Sequence, residues 1–213
     1  MQGNNETESS HYFSTSPQSH SERHRFSING PHGDLILDGE SGVFSQHGLD
    51  KGTEVLLDAM ARYGFPSPPD GTALCDLGCG SGAIALTLAS TFPHCIVYAI
   101  DVNERARQLC RDNAALNHLT NIVVASPEEI DATRTFSLLW SNPPIRIGKQ
   151  ELHQLLKTWL ARLDSNGHAH LVVSKNLGAD SLSRWMETLE YSVERIASSK
   201  GFRVLHVTRN EQP

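Results

Sequence analysis

Two short stretches concentrate the residue types that could do chemistry. The first is Asp76-Leu77-Gly78-Cys79-Gly80-Ser81-Gly82-Ala83, which closes an apolar run. Its glycines, Gly78, Gly80 and Gly82, fall where a strand would turn into a helix. Glycine there tolerates positive φ and lets backbone approach a ligand closely. A helix N-terminus adds free N–H groups for an acidic group. The next apolar run ends at Asp101, 23 residues after Gly78, where a carboxylate can accept both hydroxyl hydrogens of a ribose. Gly78 to Ala83 also satisfies the loose G-x-G-x-x-G/A dinucleotide pattern. On these residues alone the ligand stays open, and a tight turn that binds nothing is a third reading.

The second stretch is Ser141-Asn142-Pro143-Pro144-Ile145-Arg146-Ile147-Gly148-Lys149, after the run Phe136-Ser137-Leu138-Leu139-Trp140. Two prolines cannot continue a strand, because each fixes φ and lacks an N–H. They make a stiff mount for the Asn142 amide. An exocyclic amine on a base or an amide is a poor nucleophile, since its lone pair is delocalised. A carboxamide oxygen can accept one of its N–H groups, and the Pro143 carbonyl the other. Two fixed acceptors favour the pyramidal nitrogen of a transition state, and Pro144 adds stiffness to the pair. The competing reading is a strand-ending turn, since Asn and Pro are common there. A nicotinamide enzyme gives no reason for this tripeptide.

The elements that must carry both stretches follow from periodicity. Residues 25–39 hold two apolar runs around Gly-Pro-His-Gly, a hairpin signal. Residues 50–63 have apolar positions at helical spacing, with Asp50 or Thr53 as cap. From residue 72 strands and helices alternate: strands at 72–77, 95–100, 121–126, 135–141 and 168–174, helices at 81–91, 103–117, 149–163 and 180–190. The helix at 149–163 is expected to close at Asn166-Gly167. Two strands meeting at Ser199-Lys200-Gly201 end the chain. This pattern implies an α/β fold: a mostly parallel seven-stranded sheet, helices on both faces, and an antiparallel C-terminal hairpin. The expected organisation is a disordered tail over 1–20, a hairpin, loop and helix over 21–70 packing on the rest, and a catalytic domain over 71–213.

The 213 residues carry a formal charge of −6, against a protein that coats nucleic acid everywhere. The balance is uneven: residues 146–213 hold ten Lys/Arg against seven Asp/Glu. A polyanionic partner should therefore meet the C-terminal third. No apolar stretch reaches membrane-spanning length and the first thirty residues are too polar for a signal peptide, which points to the cytoplasm. Cys75, Cys79, Cys95 and Cys110 lack paired spacing and read as reduced thiols rather than a zinc site. His94, His118 and His168 have no metal-ligand spacing.

Taken together, "DLGCGSG", "AIDVNERA" and "SNPPIRIGK" resemble a class I S-adenosylmethionine-dependent methyltransferase. Residues from about 38 to 209 resemble its "methyltransferase small" family, which includes ribosomal small-subunit RNA guanine-N2 methyltransferases. The resemblance implies a Rossmann-like fold with S-adenosylmethionine as cofactor. Asp76 and the glycine loop would hold its methionine end, Asp101 followed by Val102 its ribose, and a lead-in loop around Phe44 would lie over it. Ser126 stands where many relatives carry an acidic residue near the adenine, and Ser137 is a second departure.

The target ring would lie on Ile145, aliphatic where many amino-methyltransferases are aromatic. Arg146 and Lys149 would meet phosphates, with Lys200 and Arg203 as an extension. The implied acceptor is guanine N2 of ribosomal RNA, free or in an assembled ribonucleoprotein. A protein glutamine methyltransferase and a catalytically silent binding module are the alternatives. Relatives of the two-domain kind carry an extra recognition domain for which this chain is too short.

Overall fold

The computed structural model describes residues 23–40, 43, 48–64, 67–144 and 147–210. The expected tail over 1–20 lies outside them. Strands β1 (Arg23–Gly30) and β2 (Gly33–Glu40) form the hairpin. Helix α1 (Lys51–Tyr63) follows, then β3 (Ala73–Leu77), α2 (Ala83–Thr91), β4 (Ile96–Ile100), α3 (Glu104–Leu116), β5 (Ile122–Ala125) and β6 (Phe136–Ser141). The chain continues through α4 (Lys149–Leu160), β7 (Leu163–Ser174), α5 (Ala179–Glu187), β8 (Tyr191–Ser199) and β9 (Phe202–Arg209).

Among the described residues the strands from β3 onward form one seven-stranded sheet in the order β5-β4-β3-β6-β7-β9-β8. Strands β3 to β7 pair in parallel, and β9 pairs antiparallel with both neighbours. The parallel strands read as continuous apolar runs because both of their faces are covered. Leu152, Leu156, Trp159 and Leu160 of α4 and Leu182 and Met186 of α5 pack on one face. Val55, Leu56, Ala59 and Met60 of α1 and Ile84, Ala85 and Leu88 of α2 pack on the other. The last hairpin turns at Lys200 (φ 48°) and Gly201 (φ 82°), the double left-handed turn that matches strand twist. No helix among the described residues is long and apolar enough to cross a membrane.

One boundary differs from expectation. Helix α4 stops at Leu160, and Asn166-Gly167 lies inside β7 rather than closing a helix. The register with β6 jumps between Phe136↔Leu163 and Leu138↔His168. A Cβ on Gly167 would sit 2.9 Å from the Phe136 carbonyl oxygen, so the glycine serves a bulge where two backbones approach.

The β1–β2 hairpin packs Ile28, Leu35 and Leu37 on Ala83, Leu86 and Ala114 of α2 and α3. Its polar fastening is more specific. Asn113 Oδ1 accepts from Asp38 N at 2.8 Å and Asn113 Nδ2 donates to Asp38 O at 3.0 Å. One helical turn later Asn117 treats Ile36 the same way, at 2.8 and 2.6 Å. Two carboxamides at i, i+4 thus complete the free edge of β2 as a neighbouring strand would. Asn113 Nδ2 also donates to Ser81 O at 2.8 Å, tying the hairpin to the glycine loop. Beside this seam, Glu40 is buried against Arg23 and Arg105. Burial alone would raise its pKa, but hydrogen bonds from Arg105 and Arg23 outweigh that and hold the carboxyl below its usual range. Replacing Asn113 by Ala strands one buried and two part-buried backbone groups and should cost about 3 kcal/mol. Urea unfolding should show a lower midpoint at unchanged slope; a wild-type midpoint would deny the docking role.

Candidate active site

The register of β3 against β6 brings the two chemical stretches together. Asp76 lies opposite Trp140, so the loops after both strands start side by side. Ser141 Oγ donates to Leu77 O at 2.6 Å and pins that junction. Among the described residues a Cβ on Gly78 (φ 80°) would meet only Pro144 Cδ, at 3.9 Å, so the described parts of the two loops leave a gap on that side. Gly82 (φ 91°) is the cap residue of α2, and a Cβ there would lie 2.7 Å from Cys110 Sγ. No larger residue fits, and the cap residue of α2 itself offers no side chain to its first turn. The Cys79 thiol is pushed up by its hydrogen bond with Cys110 and by burial. All four thiols are buried.

Asp76 is fully buried at the end of β3. Its Oδ2 accepts from Ala85 N at 2.9 Å, while Oδ1 has no partner. Burial pushes its pKa up to about 8, and the nearby Asp101 carboxylate adds to the rise. Asp101 Oδ2 accepts from Gly80 N at 3.0 Å and Oδ1 from Asn103 N at 2.9 Å. Its pKa is also raised, by burial, against the lowering effect of those bonds. The Asp76 carboxyl, with one oxygen unmet and a second carboxyl beside it, favours a bound cation, which would bring its pKa down.

The other residues sort along the same edge of the sheet. Val102, after β4, is 49% exposed although apolar. Ser126 follows β5 and caps the short 3-10 turn Pro127–Glu129, its N–H donating to Glu129 Oε2 at 2.6 Å. Ser137 sits at the opposite end of β6, where Oγ donates to Thr72 Oγ1 at 2.9 Å. It is a packing residue, and its departure from relatives does not bear on a ligand. Phe44, Ile145 and Arg146 lie outside the described residues.

Asn142 is held by groups 92 and 89 residues away in the chain. Its Nδ2 donates to Asp50 Oδ2 at 2.7 Å and to Thr53 Oγ1 at 3.1 Å. Among the described residues nothing donates to its oxygen or to the Pro143 carbonyl, whereas the Pro144 carbonyl accepts from Ile147 N at 3.1 Å. Two acceptors are thus left on adjacent residues at the mouth shared with Gly78. Lys149 opens α4 just beyond. Lys200 and Arg203 do not extend a basic patch: Lys200 pairs with Glu54 at 2.6 Å, and Arg203 with Asp180. Both cations are already neutralised.

Sequence reasoning missed Asp50, Thr53 and Ser141 as parts of this site. Asp50 was legible only as a helix cap, which it is, accepting from Gly52 N and Thr53 N. Nothing local announces that the same oxygen also meets Asn142.

Residues 34–206 match the model of the methyltransferase small domain. The chain belongs to this family. As a methyltransferase small domain it is 33% identical over 200 residues to YbxB of Bacillus subtilis, an uncharacterized protein, covering 92% of this chain and 97% of that one. It is 30% identical over 157 residues to the ribosomal RNA small subunit methyltransferase C of a Shewanella species, covering 72% of this chain and 43% of that one. The domain spans less than half of that relative. Its fold matches a Thermus thermophilus 16S rRNA N2 methyltransferase solved with S-adenosylmethionine and guanosine. The TM-score is 0.72 at 22% identity, over 92% of this chain and 52% of that one.

The raised Asp76 pKa makes stability depend on pH. Between about 4, its unfolded value, and about 8 the folded methyltransferase domain holds a proton that the unfolded chain has lost. Stability therefore falls as pH rises through that window. Asp76→Asn should match wild type at pH 4 and melt progressively higher than wild type up to pH 8, in thermal unfolding without ligand. A pH-independent difference would contradict the assignment.

Proposed function

We propose that this methyltransferase transfers the methyl group of S-adenosylmethionine to an exocyclic amino nitrogen, guanine N2 of ribosomal RNA. The observation that carries the reading is the Asn142 carboxamide, anchored through its nitrogen beside the glycine loop with its oxygen left to accept. The relatives named for small-subunit ribosomal RNA methylation support the acceptor class.

The orphaned Asp76 oxygen and the open space over Gly78 fit the cationic methionine end of the cofactor. Asp76 and the Gly78–Gly82 loop would hold that end, Asp101 and Val102 the ribose, and Ser126 the adenine side. When bound, the cofactor supplies an electrophilic methyl on a sulfonium. The protein's own contribution is orientation. Asn142 Oδ1 and the Pro143 carbonyl accept the two N–H groups of the amine and aim its lone pair. Proton loss follows methyl transfer, when the nitrogen is cationic and acidic, so no general base precedes attack. Ile145 would lie against the base, with Arg146 and Lys149 on flanking phosphates. The acceptor is RNA alone or within an assembled ribonucleoprotein.

The test is transfer from radiolabelled S-adenosylmethionine into an extract of cells lacking the gene, with RNA then separated from protein. Wild type should label RNA, and Asn142→Ala should lose about 10²–10³ in rate while still binding cofactor. Label in protein but not RNA would replace the nucleotide by a side-chain amide. No label in either fraction would reject the reading.

A further inference from the structure

We propose that the first turn of α1 is the positioning device of the amine site: Asp50 and Thr53 set which way the Asn142 carboxamide faces, and Gly52 leaves room for it. The inference rests on the proposed role of Asn142.

A carboxamide is nearly symmetric in shape, so packing does not tell its oxygen from its nitrogen. Rotating Asn142 by half a turn would present N–H groups to an incoming amine and abolish the acceptor. A carboxylate can only accept, so Asp50 Oδ2 at 2.7 Å obliges the Asn142 nitrogen to face α1. The oxygen must then face away. Thr53 Oγ1 at 3.1 Å holds the same nitrogen from a second direction.

Asp50 is itself immobile. Oδ2 takes Gly52 N at 2.7 Å and Thr53 N at 3.2 Å, at the positive end of α1. Donation to an anion also polarises the amide and makes its oxygen a better acceptor. The effect is greatest as the amine gains positive charge, so it acts on turnover more than on binding.

Gly52 supplies an independent observation. It lies in the first turn of a helix, where alanine is the better former. A Cβ there would be 3.0 Å from Asp50 Oδ2, 3.1 Å from Asn142 Nδ2 and 3.1 Å from Phe202 Cε1. The absent side chain at Gly52 leaves Asn142 the space in which it meets Asp50, and a methyl there would press on both partners of that bond.

The experiment compares kcat and KM in the methyl-transfer assay, on whichever fraction the wild type labels. Asp50→Ser keeps a good helix cap but is too short to hold the amide; Gly52→Ala keeps the helix and crowds it. Each should lower kcat by about 10- to 100-fold, leave KM for S-adenosylmethionine unchanged and leave the melting temperature near wild type. Asp50→Ser combined with Asn142→Ala should be no slower than Asn142→Ala alone, because the carboxylate acts only through that amide. Wild-type kcat in Asp50→Ser, or a full additional loss in the double variant, would overturn positioning while leaving the function standing. A wild type that labels neither RNA nor protein would reject the function and this inference with it.

Discussion

The pairing of β3 with β6 is the constraint on which the site depends. The chain leaves β3 for β4 and β5 on one side, then returns to lay β6 on the other. At such a reversal the loops after the two central strands diverge and leave a crevice. Register decides what lines it. With Asp76 opposite Trp140, Leu77 falls beside Ser141, and the glycine loop emerges next to Asn142-Pro143-Pro144. A slip of one residue would turn Asp76 toward the other face and move the amide along the edge. The Ser141 hydroxyl on the Leu77 carbonyl resists that slip one residue beyond the last paired position.

Asp76 is the costly part of this arrangement. Leu74, Cys75 and Leu77 make β3 an ordinary core strand, and the carboxyl among them is buried with one oxygen unpaired. A group of that kind lowers stability, and such conflicts gather at functional sites. Asp101 behaves differently. Its oxygens brace the glycine loop and the start of α3 through Gly80 and Asn103, so it shapes the loop before any ligand arrives. The two carboxyls divide the work: one keeps an unmet demand for positive charge, the other keeps the cradle rigid.

Most of the architecture could be read from the chain because it rests on local signals. Strand–helix alternation gave the sheet, Asp50 and Asn103 announced their helices, and the glycine loop and Asn-Pro-Pro marked both halves of the site. What escaped depends on distant contacts. Asn166-Gly167 looks like a helix stop, yet it forms a bulge because the Phe136 carbonyl passes within reach. Asn113 and Asn117 carry no local signal of their task, yet they complete the edge of β2. Lys200 and Arg203 looked like a basic patch until Glu54 and Asp180 came beside them. The clamp on Asn142 joins residues about ninety positions apart, which no periodicity reveals.

These ion pairs also reconcile an acidic chain with the proposed RNA acceptor. Arg23, Arg25, Arg105, Arg107, Lys200 and Arg203 all have carboxylate partners within the fold. Lys149 opens α4 beside the acceptor loop, and Lys175 is exposed beyond β7, the strand next to β6; neither has a carboxylate partner among the described residues. A rim with few cations gives weak backbone affinity and little indiscriminate binding. Inside the rim the groups are acidic instead, because Asp101 and Asp50 lie around the mouth, above the buried Asp76. A phosphate that followed the base inward would meet that negative floor. A neutral base would not, and the nitrogen it presents becomes more positive as the methyl arrives. On the proposed function the charge pattern would sort the acceptor by its parts, holding the backbone at the edge and admitting the base, with Asn142 turned by Asp50 to receive it.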